Sequence, residues 1–341
     1  MMNEILEKIA HREDLTAAEM TSAVGAFVDN ECEPAQVAGF LMALRVKGET
    51  VDELVGAAVA FRERAVHLPE TAQPVLCTAG TGGDRFGSIN LSTAAALIAA
   101  ATGVPVAKHG NRSVSSRCGS ADVLDALDIP TGLSPQDAVA AIRDNNFSFL
   151  FAPHYHPAMK SVAPVRKALA VSTLFNLLGP LTNPARVPAQ VVGVSHPSRI
   201  RFMAAALLRL GIRRALVISA ENGLDEIAPE GVTHMVELRE GTLTDLAVTP
   251  ADFGLAEAPL ETVRGGDPML NAAIIRTVLN GKSHEARTGV LLNAAAALYI
   301  AGKASSLGKG AEIAIDTIES GRAADTLDRL SCRPEEQAVA A

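Results

Sequence analysis

The 341 residues are 48% apolar and 20% charged, enough apolar chain for one large domain or two unequal ones and too little charge for disorder. A net charge of −8 argues against a nucleic-acid backbone as the main ligand and leaves room for a local basic pocket. Residues 1–14 lack the apolar centre of a secretory signal, and no run of about 18 apolar residues is present to cross a bilayer.

The first elements are helical. Thr16 and Glu19 form a capping box ahead of Met20, Val24, Phe27 and Val28 at helical spacing. Pro34 suits the first turn of the next helix, whose stripe is Val37, Phe40, Leu41 and Leu44, and Gly48 ends it. Thr50 with Glu53 opens another helix carrying Leu54, Val55, Ala58 and Phe61. Residues 1–68 therefore predict a small all-helical domain that offers packing and subunit contact but no chemistry. After Pro69 short apolar runs alternate with helices. Residues 74–77 predict a strand, 80–84 a glycine loop, and Ser92 or Thr93 the cap of an Ala/Leu helix ended by Gly103. Residues 104–107, 191–194 and 215–219 predict further strands. Residues 69–341 thus form an α/β domain with helices covering a sheet. Cys32, Cys77, Cys118 and Cys332 show no metal-pair spacing and no disulfide framework, and read as reduced thiols of a cytoplasmic protein.

Three segments carry chemistry. Gly80-Thr81-Gly82-Gly83-Asp84 follows a strand, so its amides can approach an anion unobstructed by Cβ atoms. Asn90-Leu91-Ser92-Thr93 opens a helix, whose free N–H groups add to a diphosphate cradle. The Ser92 hydroxyl is also a hard oxygen donor for a metal. This is neither a P-loop nor a dinucleotide fingerprint. Lys108-His109-Gly110-Asn111-Arg112-Ser113, then Ser115, Ser116, Arg117, Gly119 and Ser120, form a donor-rich loop after a strand, with Lys108 as a compact charge for phosphate. Asp225 and Glu226 are adjacent acids that repel unless a cation such as Mg²⁺ lies between them. Arg166 can clamp a carboxylate, and residues 175–184 form a Gly/Pro-punctuated bend suited to a hinge or pocket wall.

These blocks, in this order, resemble the anthranilate phosphoribosyltransferase family over nearly the whole chain. Gly265-Gly266-Asp267 and residues 291–299 add to the match. The resemblance implies a homodimeric, magnesium-dependent enzyme of tryptophan biosynthesis that moves the phosphoribosyl group of PRPP onto the amine of anthranilate. Its fold would be nucleoside-phosphorylase-like: a small helical domain, joined near residues 165–190, and a large α/β domain with a central, mainly parallel sheet. PRPP would lie in the hinge cleft against Gly80, Gly83, Asp84, Ser88, Asn90, Leu91, Ser92, Thr93, Lys108 and Ser120. Anthranilate would meet Gly80, Asn111 and Arg166, with His109 and His156 along its approach. Ser92, Asp225 and Glu226 would hold Mg²⁺, two ions per subunit. The dimer would form through the helical domain, with no membrane or nucleic-acid partner.

The chain departs from that family's pattern at Arg85, Ser172, Ser219, Ala220 and Ala228, none of which is an implied ligand. An aromatic amine is already neutral near pH 7, so the reaction needs orientation, by Asn111, more than a strong base. Three other readings share the architecture: a paralogue for another aromatic amine, a pyrimidine-nucleoside phosphorylase, and a non-catalytic nucleic-acid-binding relative. The acidic pair disfavours the phosphorylase, and the negative net charge disfavours the nucleic-acid binder.

Overall fold

The computed structural model describes residues 2–69, 75–84, 86–113 and 117–331. Four helices come first: α1 (Met2–Ala10), α2 (Ala17–Val28), α3 (Pro34–Lys47) and α4 (Val51–Glu63). Next are β1 (Leu76–Gly80), α5 (Leu91–Ala101), β2 (Val106–Gly110), α6 (Ser120–Ala126), α7 (Pro135–Asn145) and β3 (Phe147–Phe151). Helices α8 (Ala152–Tyr155) and α9 (Met159–Leu169) lead through two 3₁₀ turns, Leu174–Asn176 and Gly179–Leu181, to β4 (Ala189–Gly193). Helix α10 (Ile200–Arg209), β5 (Arg214–Ala220), β6 (Thr233–Arg239) and β7 (Thr242–Val248) follow. The described chain ends in α11 (Pro268–Leu279), α12 (Arg287–Ile300), α13 (Leu307–Glu319) and α14 (Arg322–Ser331).

Local chemistry explains the helical layer. The Thr16–Glu19 and Thr50–Glu53 capping boxes are both formed, Pro34 is in the first turn of α3, and Gly48 ends that helix at φ +91°. Helices α2 and α4 cross closely: a Cβ on Gly56 would lie 2.4 Å from the Ala17 carbonyl oxygen. Glu53 is fully buried there, accepting from the Leu15 and Thr50 amides and from Lys47.

The sheet runs in the order β3-β2-β1-β4-β5-β6-β7. The first five strands are parallel, and β6 and β7 add an antiparallel hairpin at one edge. Alternation along β5 shows why both faces are covered. Leu216 and Ile218 join the apolar core shared with α5 and α12, whereas Ala215 and Val217 join the core of the helical layer and α10. Alanines let α5 lie close to the sheet and α12. Residues 162–181 contribute Val162, Val165, Leu174, Phe175, Leu178 and Leu181 to the helical layer's core.

Three expectations shift. The first strand is Leu76–Gly80 rather than 74–77, and Pro74 is outside the described residues. The second is Val106–Gly110 rather than 104–107. Polar and glycine residues stay in both strands because one neighbouring strand supplies register partners, Gly193 of β4 for Gly80 and Phe151 of β3 for Gly110. Asn90, not Ser92 or Thr93, is the N-cap of α5; its side chain makes no cap bond because it is engaged elsewhere. Among the described residues no helix is long and apolar enough to cross a membrane.

Candidate active site at the strand ends

Strand order reverses between β1 and β4, where the chain crosses from one half of the sheet to the other. In open α/β sheets the crevice at such a point, beyond the carboxyl ends of the strands, is where ligands bind. Gly80 and Gly193 are register partners at that point. The turn after β5 is threaded against them. A Cβ on Gly193 would lie 1.7 Å from the Asp225 carbonyl oxygen, and one on Gly80 2.8 Å from Asp225 Oδ2. Only glycine permits this approach. The Gly82 amide donates to Asp225 Oδ2 at 3.0 Å, and the Thr81 amide to the Gly193 carbonyl at 2.9 Å. Gly82 and Gly83 hold φ of +65° and +92°, which turns the loop over the strand ends.

The second acid meets the start of α5. The Ser92 amide donates to Glu226 Oε1 at 3.0 Å. Lys108 lies beneath, only 2% exposed, donating to the Thr78 carbonyl at 2.5 Å and to Ser92 Oγ at 3.3 Å. Burial holds its ammonium below the usual lysine range. Lys108 therefore braces the start of α5 from inside rather than standing open in the loop.

Burial and then the neighbouring charges of Glu226 and Asp84 hold the Asp225 carboxyl well above the usual range. Burial pushes Glu226 up to about 7 against the opposing pull of Lys108. Asp84 accepts from the Phe86 amide at 3.3 Å, and its buried Oδ2 has no hydrogen-bond partner. Crowded, buried and partly unsatisfied carboxylates are stabilised by a hard cation, and all the donors here are oxygens, so the residues fit Mg²⁺. Among the described residues no three His, Cys, Asp or Glu side chains are grouped to hold a metal unaided. Mg²⁺ commonly completes its shell with water and substrate phosphate oxygens.

The second wall is neutral. His109 Nδ1 donates to the Gly179 carbonyl at 3.1 Å and His156 Nε2 to the Thr182 carbonyl at 2.8 Å, with the rings edge-on at 5.2 Å. Burial, with His156 alongside, lowers His109 to about 3, and burial lowers His156 to about 4. Both imidazoles are uncharged at neutral pH, and His109 Nε2 and His156 Nδ1 are buried without partners. Arg166 is half-buried over the Phe175 ring at 5.6 Å, and burial lowers its pKa. It forms no ion pair with any described residue.

The structure joins Gly80, Ser92, Lys108, Asp225 and Glu226 through direct contacts, with Asp84 beside them. Gly83 approaches Ser195, whose Oγ would be 3.9 Å from a Cβ placed there. Ser120 Oγ donates to the Asn111 carbonyl at 3.3 Å, while Asn111 Oδ1 accepts from the Arg112 amide. Ser88 offers backbone, bridged to Arg264, and Leu91 and Thr93 are buried. Arg166 lies over Phe175, which begins the bend whose Gly179 and Thr182 carbonyls meet His109 and His156. Ser115, Ser116 and Arg85 lie outside the described residues.

Four residues at the site escaped sequence reasoning. Thr78 accepts from Lys108 and donates to the Ser92 carbonyl at 2.7 Å. Asn271 donates to Asn90 Oδ1 at 3.0 Å and accepts from the Gly266 amide at 2.8 Å, tying α11 to the cap of α5. Gly193 and Ser195 complete the set. A glycine closing an apolar strand was the one available signal, at Gly193.

A family model described as "Glycosyl transferase family, helical bundle domain" matches residues 3–65, and one described as "Glycosyl transferase family, a/b domain" matches residues 72–324. The anthranilate phosphoribosyltransferase of Brevibacillus brevis is 46% identical over 321 residues, covering 94% of this chain and 94% of that protein. The crystal structure of anthranilate phosphoribosyltransferase from Thermus thermophilus superposes with a TM-score of 0.90 at 45% identity, over 96% of this chain and 98% of that one. The Saccharomyces cerevisiae enzyme in complex with PRPP and Mg gives a TM-score of 0.88 at 26% identity, over 96% of each chain.

Proposed function

The chain belongs to the anthranilate phosphoribosyltransferase family, and from that premise we propose how its cleft transfers the phosphoribosyl group of PRPP to the amine of anthranilate, releasing pyrophosphate, in tryptophan biosynthesis. The observation that carries the reading is the meeting of the glycine-loop amides, the α5 N-terminus and the Asp225–Glu226 pair at one crevice.

In this reading Gly80, Gly83, Ser88, Asn90, Leu91, Ser92, Thr93 and Ser120 surround PRPP through backbone and hydroxyl donors, and Asp84 faces its ribose. Ser92, Asp225 and Glu226 would hold Mg²⁺, two ions per subunit, with water and the phosphate oxygens of PRPP completing each shell. When bound, Mg²⁺ offsets the charge that develops on the departing pyrophosphate. The chain's own part is positional. The Ser92 amide fixes Glu226, with the charge of Lys108 close by, and the Gly82 amide fixes Asp225, so the acids are aimed before substrate arrives. Arg166, with no acidic partner, takes the anthranilate carboxylate. Gly80 and Asn111 orient the amine, and neutral His109 and His156 wall its approach without competing for the carboxylate.

Two finer points belong to the same proposal. The chain divides near residue 68, supported by the separate family matches and by the packing of α9 onto α2 and α3. It acts in the cytoplasm as a homodimer through the helical layer, where Val46 is 70% exposed on α3. Sedimentation measures the dimer.

The test of function is anthranilate fluorescence, followed with PRPP and Mg²⁺ each present or omitted. Consumption only with both supports the reading; phosphorolysis of uridine or thymidine without Mg²⁺ contradicts it.

A further inference from the structure

A second concentration of unbalanced charge lies at the opposite end of the sheet. A cavity of about 380 Å³ opens between the end of α4, the turn before β4 and the turn before β5. Strands β4 and β5 start beside it and finish at the catalytic crevice, so the two sites are on opposite edges. Arg62 and Arg186 line the cavity together with Val59, Glu63 and Gly211.

Arg62 is half-buried in the wall. Its Nε donates to the Leu181 carbonyl at 2.6 Å and a terminal nitrogen to the Leu210 carbonyl at 3.3 Å. These carbonyl oxygens take two of its N–H groups without neutralising its charge. Burial, and then the charge of Arg186, lower its pKa to about 10. Neither guanidinium forms an ion pair with a described residue. Glu63, the acid among the lining residues, is turned outward at 60% exposure, with Arg64 as its nearest cation at 3.9 Å. A buried cation facing a second cation is costly unless a counter-charge reaches both. The planar guanidinium fork suits oxyanions.

We propose that this cavity binds a small phosphate-class dianion between Arg62 and Arg186, clamping the end of α4 to α10 and to the turn that contains Leu181. That turn is shared with the catalytic crevice. Arg62 holds it at the Leu181 carbonyl, while His109 and His156 hold it at the carbonyls of Gly179 and Thr182. Anion occupancy therefore stiffens the wall along which the aromatic substrate approaches. Binding at this cavity is independent of the reaction assigned to the crevice.

The experiment is thermal unfolding of the full chain with saturating PRPP and Mg²⁺, so that the crevice is filled, against inorganic phosphate or chloride at equal ionic strength. Phosphate should raise the midpoint beyond chloride in the wild type, and sulfate should substitute for it. Arg186→Gln, at an exposed position, should weaken the apparent phosphate affinity at least about tenfold, because one of two cations is lost. Glu63→Gln should tighten it severalfold. An equal phosphate response in wild type and Arg186→Gln, meaning an adventitious ion only, overturns the proposal. So does a wild type that responds to phosphate no more than to chloride.

Discussion

Gly193→Ala tests whether the position of the acidic turn governs turnover. The added Cβ would stand 1.7 Å from the Asp225 carbonyl oxygen, and such contacts need at least about 3.0 Å. One side must move by more than an ångström, and neither is a flexible side-chain end. Gly193 is paired between β1 and β5, and its carbonyl accepts the Thr81 amide. The turn at Asp225 and Glu226 will therefore be displaced. Misplacing positioning groups by about 1 Å costs about 100-fold in rate. We expect kcat to fall on that scale, the Mg²⁺ concentration for half-activation to rise, and stability to drop by about 1–3 kcal/mol from overpacking. Anthranilate fluorescence with a Mg²⁺ titration reads the first two, and urea unfolding the third. Gly39→Ala on α3, with nothing within 4 Å of its added Cβ, is the control and should gain up to about 1 kcal/mol. A Gly193→Ala enzyme with wild-type kcat and Mg²⁺ response would refute the argument.

Three further outcomes are expected. Arg166→Ala should lower kcat/KM for anthranilate by the equivalent of about 2–4 kcal/mol, since the proposed reading has its half-buried guanidinium take the substrate carboxylate, while the KM for PRPP stays put; equal loss for both substrates would count against the assignment. Asn271→Leu should raise the KM for PRPP about tenfold, the scale of a lost buried hydrogen bond, because the Asn90 cap loses its tie to α11; Michaelis analysis at saturating anthranilate checks it. Glu226 titrates near 7 when folded and near 4.5 when unfolded, so between those values the folded state holds the extra proton. Its contribution is full below about pH 4.5 and is lost as pH rises through 7, roughly 3 kcal/mol in all. In chelator, wild type should therefore lose stability relative to Glu226→Gln between pH 5 and 8, and Mg²⁺ should restore it. Parallel pH profiles for the two proteins would reject the assignment.

What the chain announces in advance is whatever its neighbours in sequence decide. Thr16 with Glu19, Thr50 with Glu53 and Gly48 are local devices, and each forms as read. The acidic pair and the glycine loop each suit an ordinary turn when taken alone, and it is their order along the chain with the other polar blocks that singles them out. Strand limits were less legible, since Gly80 and Gly110 have no strand preference of their own and are held by partners far along the chain. The same reason hid the true cap of α5: Asn90 is engaged by Cys118 and Asn271, residues 28 and 181 positions away. Lys108 reads as an open phosphate ligand in a polar loop, but the ladder continues through it and turns its ammonium inward. Thr78 gave no signal because its role consists of contacts with residues distant in the chain, Ser92 in α5 and Lys108 on β2.

Because β1 is seated beside β4, the halves of the magnesium-binding reading are synthesised far apart. A growing polypeptide that has extruded residue 150 already carries its anion-cradling amides, yet neither Asp225 nor Glu226, the acids those amides hold. Until residue 226 has left the ribosome there is nothing for the Gly82 amide to hold, and parallel pairing over such a separation is slow to nucleate. Competence to bind metal and sugar diphosphate therefore arrives late and all at once, so truncated translation products should sequester neither.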